Sequence, residues 1–144
     1  MIKKAEKADS AVLAEMALLM WEDDDPNDLK EEFERLTEGD DSACFIQYAD
    51  DTPVGFAQCQ LRRDYVEGTD TSPVGYLEGI FIREEYRRRG YAMALLKSCE
   101  KWAKERHCSQ FASDCELENE DSLRFHMAMG FEEANRIICF RKDI

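Results

Sequence analysis

Hydrophobic positions along this chain switch between two periods, and the switches mark its elements. Ile2–Ala5 reads as a short first strand. From Asp9 or Ser10, either of which can cap a helix, apolar residues recur at Val12 or Leu13, Met16 and Leu19 or Met20, so a helix is expected to about Met20. Pro26 breaks the chain, and Leu29, Phe33 and Leu36 then predict a second helix from about Asp28 to Leu36. Ala43–Ala49 and Val54 to about Arg63 read as strands joined through the turn Asp50-Asp51-Thr52-Pro53. A polar loop, Tyr65 to Pro73, leads into the apolar run Val74 to Ile82, which has the length and β-branched and aromatic content of a buried strand. After a charged turn, Gly90 opens a long amphipathic helix. Tyr91, Leu95, Cys99, Trp102 and Ala103 share one face, and Lys97, Glu100, Lys101, Lys104 and Glu105 the other. Gln110–Cys115 is a further strand, 116–121 an acidic loop, and Ser122–Met129 a short helix stopped by Gly130. Phe131–Arg136 and Ile137–Lys142 read as two last strands. The order βααβββαβαββ predicts one α/β domain, residues 1–144, with a mixed central sheet flanked by helices.

Composition narrows the function. At 144 residues the chain can bury one core. No run approaches the length of a membrane span, and MIKKAEKADS lacks the apolar stretch of a secretory signal, so a cytoplasmic location is expected. Six cysteines without C-x-x-C spacing, beside only two histidines, argue for reduced, buried thiols and no metal site. The net charge of −13 argues against nucleic acid and fits a cationic substrate or partner, or simply a soluble surface. Residues 22–41 hold eleven acids against Lys30 and Arg35. The one dense basic cluster is Arg87-Arg88-Arg89.

That cluster lies between the apolar strand and the helix after Gly90. Strand, turn, glycine and helix form an anion site, because unbonded N–H groups and the positive end of the helix dipole point into the turn. Three arginines at a helix start each cost about 0.3–1 kcal/mol against that dipole, which calls for a negative partner. The alternative is an ordinary strand–helix connection with solvated arginines. The pattern Arg87-x-x-Gly90-x-Ala92 is neither a P-loop nor a dinucleotide fingerprint. It resembles the coenzyme A pyrophosphate loop of the GNAT N-acetyltransferases. Asn119-x-x-Ser122-x-x-x-His126-x-x-x-Gly130-Phe131 resembles a second GNAT block, with His126 where that family carries a tyrosine. The resemblance implies the GNAT fold, with acetyl-CoA on the Ile80, Phe81 and Ile82 backbone and on Arg87, Arg88, Arg89, Gly90, Tyr91, Ala92 and Met93. It also implies a coenzyme contact at Asn119. His126 can donate a proton or hydrogen bond to the departing sulfur, or can be a packing residue.

Transfer to an amine needs the amine neutral, so a base should help. Glu78, an acid inside an apolar strand, is the candidate for base or substrate contact, and Gly79 beside it can mark a bulge. Asp114 at a strand end is placed for a ligand, or is a turn residue. Trp21 followed by Asp23, Asp24 and Asp25, and Tyr65 between Asp64 and Glu67, combine aromatic faces with carboxylates, which suits a polyamine; the alternative is a solvated acidic surface. These positions resemble the aminoglycoside 6′-N-acetyltransferases over nearly the whole chain. That resemblance implies antibiotic binding at Trp21, Asp24, Tyr65, Glu78 and Asp114, direct attack in a ternary complex, and a homodimer. The alternatives are acetyl transfer to another amine (a polyamine, small metabolite, or protein N-terminus or lysine) and a coenzyme A-binding domain without catalysis.

Overall fold

The structure, a computed structural model, describes residues 1–144. Its elements are β1 (Ile2–Lys4), α1 (Ser10–Leu18), α2 (Pro26–Glu38), β2 (Ser42–Ala49), β3 (Thr52–Arg62), β4 (Val74–Ile82), α3 (Tyr91–Glu105), β5 (Phe111–Ser113) and α4 (Glu120–Ala128). The five strands lie side by side in chain order. All neighbours are antiparallel except β4 and β5, which are parallel. A parallel pair needs a crossover, and α3 supplies it.

Strand alternation feeds two cores. Ala43 and Phe45 of β2 join Leu95, Leu96, Cys99, Trp102 and Ala103 of α3 on one face. Cys44 and Ile46 join Leu13, Met16, Leu29 and Phe33 of α1 and α2 on the other. The expected apolar stripe of α3 is the buried one. Phe33, Phe56, Leu13 and Met16 are almost fully buried, each worth about 1.5–3 kcal/mol of transfer free energy.

Several boundaries differ from expectation. α2 begins two residues early because Pro26 takes its first helical position, where a missing N–H costs nothing. Asp25 caps it, accepting from the N–H groups of Asn27 (2.8 Å) and Asp28 (3.1 Å). Asp9 precedes α1 but caps an earlier 3-10 turn, accepting from Glu6 N–H at 2.8 Å while pairing with Lys3 at 2.8 Å.

The two last strands do not form. The sheet ends at β5, and residues 131–144 run as irregular chain. A strand needs a ladder beside it, and side-chain ties hold the start of this segment elsewhere. Phe131 packs on Phe111 and His126 (ring centroids 6.4 and 5.1 Å apart). Asn135 donates to Glu67 at 2.9 Å, and Ala134 abuts Gly68. Beyond it Ile137, Ile138 and Phe140 are exposed. The thiols divide accordingly. Cys44, Cys59, Cys99 and Cys108 are buried and free, with burial pushing Cys44 up to about 12. Cys115 and Cys139 are also free but exposed, which corrects the expectation that all six are buried.

Candidate active site

β4 loses one neighbour halfway along. β5 pairs only with Gly75–Leu77, so from Glu78 to Ile82 the strand has β3 on one side and no strand on the other. A side chain at Gly75 would strike Phe111 (2.5 Å) and Ala103 (2.7 Å), so the glycine lets β5 and α3 close on β4 there. Beyond that point the strands part. On that side no strand pairs with the backbone of Ile80–Ile82, and the Ile82 carbonyl is taken by Arg87.

The register shifts at the parting. Gln58 pairs with Gly79 and Cys59 with Leu77, which leaves Glu78 as the extra residue of a bulge. Its carboxylate belongs to a continuous polar chain. Arg62 donates to Glu78 Oε1 through Nη2 (2.8 Å) and Nε (3.1 Å). The same guanidinium lies 3.4 Å from the centre of the Tyr76 ring, and the Tyr76 hydroxyl donates to Asp114. Burial, and then the bond to Asp114, raise the Tyr76 hydroxyl well above the usual phenol range. The structure thus brings Glu78 and Asp114 together through two residues that the sequence did not single out.

The basic turn lies past the other end of the open stretch. Arg88 (φ 64°) and Gly90 (φ 81°) are both left-handed. A side chain at Gly90 would meet nothing within 4 Å, so the glycine answers a conformational demand, not crowding. The first intrahelical bond of α3 runs from Ala94 N–H to Gly90 C=O (3.1 Å). The N–H groups of Tyr91, Ala92 and Met93 precede it and have no carbonyl within the helix. The three arginines differ. Arg87 donates to the Ile82 carbonyl (2.9 Å), tying the turn to β4. Arg89 donates to the Glu85 carbonyl (3.2 Å) and stacks near Tyr86 (5.1 Å). Arg88 is exposed and makes neither a hydrogen bond nor a salt bridge.

On α4, Asn119 is the helix cap, its side-chain oxygen accepting from Ser122 N–H at 3.1 Å. His126 Nδ1 lies 2.7 Å from the Ser122 carbonyl, and Nε2 lies 2.7 Å from Ser113 Oγ. A carbonyl only accepts, so Nδ1 carries a proton. Ser113 Oγ also donates to the Leu77 carbonyl (3.3 Å), so Nε2 already has a partner within the protein and the ring is tied at both nitrogens.

The substrate loops are placed unevenly. Trp21 lies over Gly79, 3.2 Å from where a Cβ would stand, so its indole adjoins the Glu78 bulge. Asp24 follows in a turn closed by its N–H on the Trp21 carbonyl (3.2 Å), with its side chain in solvent. Tyr65 is 79% exposed and donates to Glu67 (3.1 Å), through which it links to Asn135. Sequence reading missed Arg62, Tyr76, Ser113 and Asn135. Tyr76 could have been found, since it stands two residues before Glu78 on the same side of the strand.

An anion-binding turn at a helix start, an open strand edge and a carboxylate at that edge define a coenzyme-dependent acyl-transfer site. The chain belongs to the Acetyltransferase (GNAT) family, whose sequence pattern matches residues 12–131. An aminoglycoside N(6′)-acetyltransferase type 1 of Stenotrophomonas maltophilia is 38% identical, with 99% of this chain and 93% of that protein covered. The same-named protein of Acinetobacter haemolyticus is 36% identical over 99% and 98%. Among solved structures, AAC(6′)-Iy in complex with the bisubstrate analogue CoA-S-monomethyl-acetylneamine matches with a TM-score of 0.96 at 35% identity. That match covers 100% of this chain and 98% of the other.

Proposed function

We propose that this enzyme transfers the acetyl group of acetyl-CoA to the 6′-amine of an aminoglycoside. The observation that carries this reading is the Glu78–Arg62–Tyr76–Asp114 chain, acidic and aromatic, set where β4 opens. The coenzyme's pyrophosphate takes the N–H groups of Tyr91–Met93 and the unpaired Arg88, and its arm follows Ile80–Ile82. Trp21, Asp24, Tyr65, Glu78 and Asp114 hold the polycation. Glu78 takes the amine proton. The neutral amine nitrogen attacks the thioester carbonyl carbon, the C–N bond forms, the nitrogen gives up its second proton to water, the C–S bond breaks, and coenzyme A leaves as the thiolate. His126 positions Ser113 and the start of α4, and the thiolate takes its proton from water. Orientation on the strand edge and polarisation of the carbonyl by backbone N–H groups supply much of the acceleration. No group of three or more His, Cys, Asp or Glu side chains could hold a metal ion.

The enzyme works in the cytoplasm, where acetyl-CoA is available. It works as a homodimer, a second copy covering the exposed Ile137, Ile138 and Phe140. Phe140→Asp should then shift the sedimentation coefficient to that of a monomer.

The test is thiol release from acetyl-CoA with kanamycin, tobramycin, a kanamycin analogue carrying a 6′-hydroxyl, spermidine and a lysine peptide. Turnover of the 6′-amino drugs alone upholds the reading. Turnover only of spermidine or the peptide overturns the antibiotic assignment and keeps the coenzyme site.

A further inference from the structure

Arg62 has no task in the transfer just described, yet it holds the centre of the acidic group. It makes the two contacts that a substrate ammonium would want there, an ion pair with Glu78 (2.8 Å) and a cation–π stack on Tyr76 (3.4 Å). Fold stability does not explain it. The pair is 37% and 20% exposed, a class usually worth little, and the β3–β4 ladder already joins Gln60 to Tyr76 and Arg62 to Val74. For cation capture it is a handicap, because it offsets one of the two negative charges of Glu78 and Asp114. Both of its hydrogen bonds fall on Oε1 of Glu78, so Oε2 is unclaimed. Arg62 ends β3, and Gln60–Tyr65 line an open cleft of about 390 Å³, so a displaced side chain has room to turn.

We propose that Arg62 is a resident cation in the acceptor site, which an incoming ammonium must displace from Glu78, and that this exchange selects polycations over singly charged amines. The inference rests on the acetyl-transfer reading above. Exchanging a guanidinium for one ammonium at Glu78 leaves the local charge unchanged, so a monoamine gains little from it. A polyamine places further ammonium groups at Asp114 and the acidic loops, and these more than offset the lost pair. Arg62 thus acts against the wrong substrate more than for the right one.

Two measurements test this. Arg62→Gln removes the charge, and Arg62→Lys keeps it. In Arg62→Gln, kcat/KM for 6-amino-6-deoxyglucose should rise about tenfold and that for tobramycin about threefold or less, shrinking the preference for the polycation. Arg62→Lys should keep the wild-type preference. An unchanged or larger preference in Arg62→Gln overturns the proposal, as does weaker tobramycin binding. The second readout needs no turnover. In ¹⁵N spectra of the wild-type enzyme, tobramycin should move the Arg62 Nε–H resonance and speed its exchange with water, as the bond to Glu78 is lost. A resonance that stays put under saturating tobramycin overturns displacement. Wild-type enzyme that moves this resonance but acetylates no aminoglycoside overturns the acetyl-transfer assignment alone.

Discussion

Glu78→Gln keeps the side chain's shape and removes its charge. Two contributions then disappear. The first is the charge-assisted hydrogen bond to the acceptor ammonium, about 1.5–3 kcal/mol, or roughly 10- to 150-fold in binding. Arg62 reduces that contribution, since it already occupies Oε1 from 2.8 and 3.1 Å. The second is proton removal, for which a positioned base contributes about 10²–10⁴-fold. With the binding contribution largely offset by Arg62, proton removal sets the size of the effect, a fall in kcat/KM for tobramycin of about 10²–10⁴-fold at pH 7. With acetyl-CoA placed along Ile80–Ile82 and the turn after β4 as proposed, its affinity by calorimetry should stay within about twofold. The pH profile separates the two effects. A primary ammonium titrates at about pH 8–10, so a base matters less as pH rises, and the gap between variant and wild type should narrow towards pH 9. A loss below threefold removes Glu78 from the mechanism. A large loss that is the same at pH 6.5 and pH 9 makes Glu78 a binding group and refutes its role as base.

Replacing Arg88 and Arg89 together by alanine should weaken acetyl-CoA binding about tenfold and leave drug affinity unchanged, both by calorimetry. Equal loss of both ligands would mean the coenzyme site is elsewhere. His126→Phe should lower the unfolding free energy by about 1–2 kcal/mol in urea titration, because Ser113 and the Ser122 carbonyl each lose one hydrogen bond. Its kcat should fall less than fivefold or so, and a hundredfold fall with a lost ionisation would restore the histidine as proton donor. At Asp9, burial pushes the carboxyl up, but the Glu6 N–H and Lys3 outweigh it and hold it below its ordinary 3.8. A depressed folded-state value means stability that is present above the unfolded value and lost as pH falls through the folded one. Asp9→Asn should therefore cost about 1 kcal/mol at pH 7, a cost that fades as pH falls below 3.8 and through the lower folded-state value, by thermal unfolding across pH.

What the sequence revealed, and what it hid, follows from the range of the interactions involved. β4 was legible to the residue, because Pro73 and Arg83 bracket an unbroken apolar run. The bulge was legible too, since an acid followed by glycine has few other uses inside such a strand. Local chemistry misled at α2 and α4. Pro26 was read as a break and is a helix start, and the acids Glu120 and Asp121 were read as loop but favour a helix N-terminus. Arg62 was invisible because its meeting with Glu78 depends on how β3 and β4 pair across the 63–73 loop. The bond from Ser113 to His126 likewise joins two elements whose packing no local pattern encodes. The tail from Phe131 carries strand-favouring residues at Ile137, Ile138 and Phe140, but propensity is no substitute for a ladder.

The charge distribution has a consequence that the net charge of −13 conceals. Glu78 stands at one end of the open stretch of β4 and the arginine turn, Arg87–Arg89, beyond the other, past Gly79–Ile82, Arg83 and Glu84–Tyr86. A strand advances about 3.3 Å per residue, so the apolar edge Gly79–Ile82 is about 13 Å long. An anionic coenzyme is repelled by the body and attracted only at that turn. A polycation is attracted almost everywhere, which gives rapid encounter but no register. Register has to come from a place where a cation is tested rather than welcomed, and Arg62, paired with Glu78 on Tyr76, is the one guanidinium placed to make that test. Raising ionic strength should therefore slow drug capture by the acidic surface, while the discrimination at Glu78, a contact exchange within a half-buried pair, should change little.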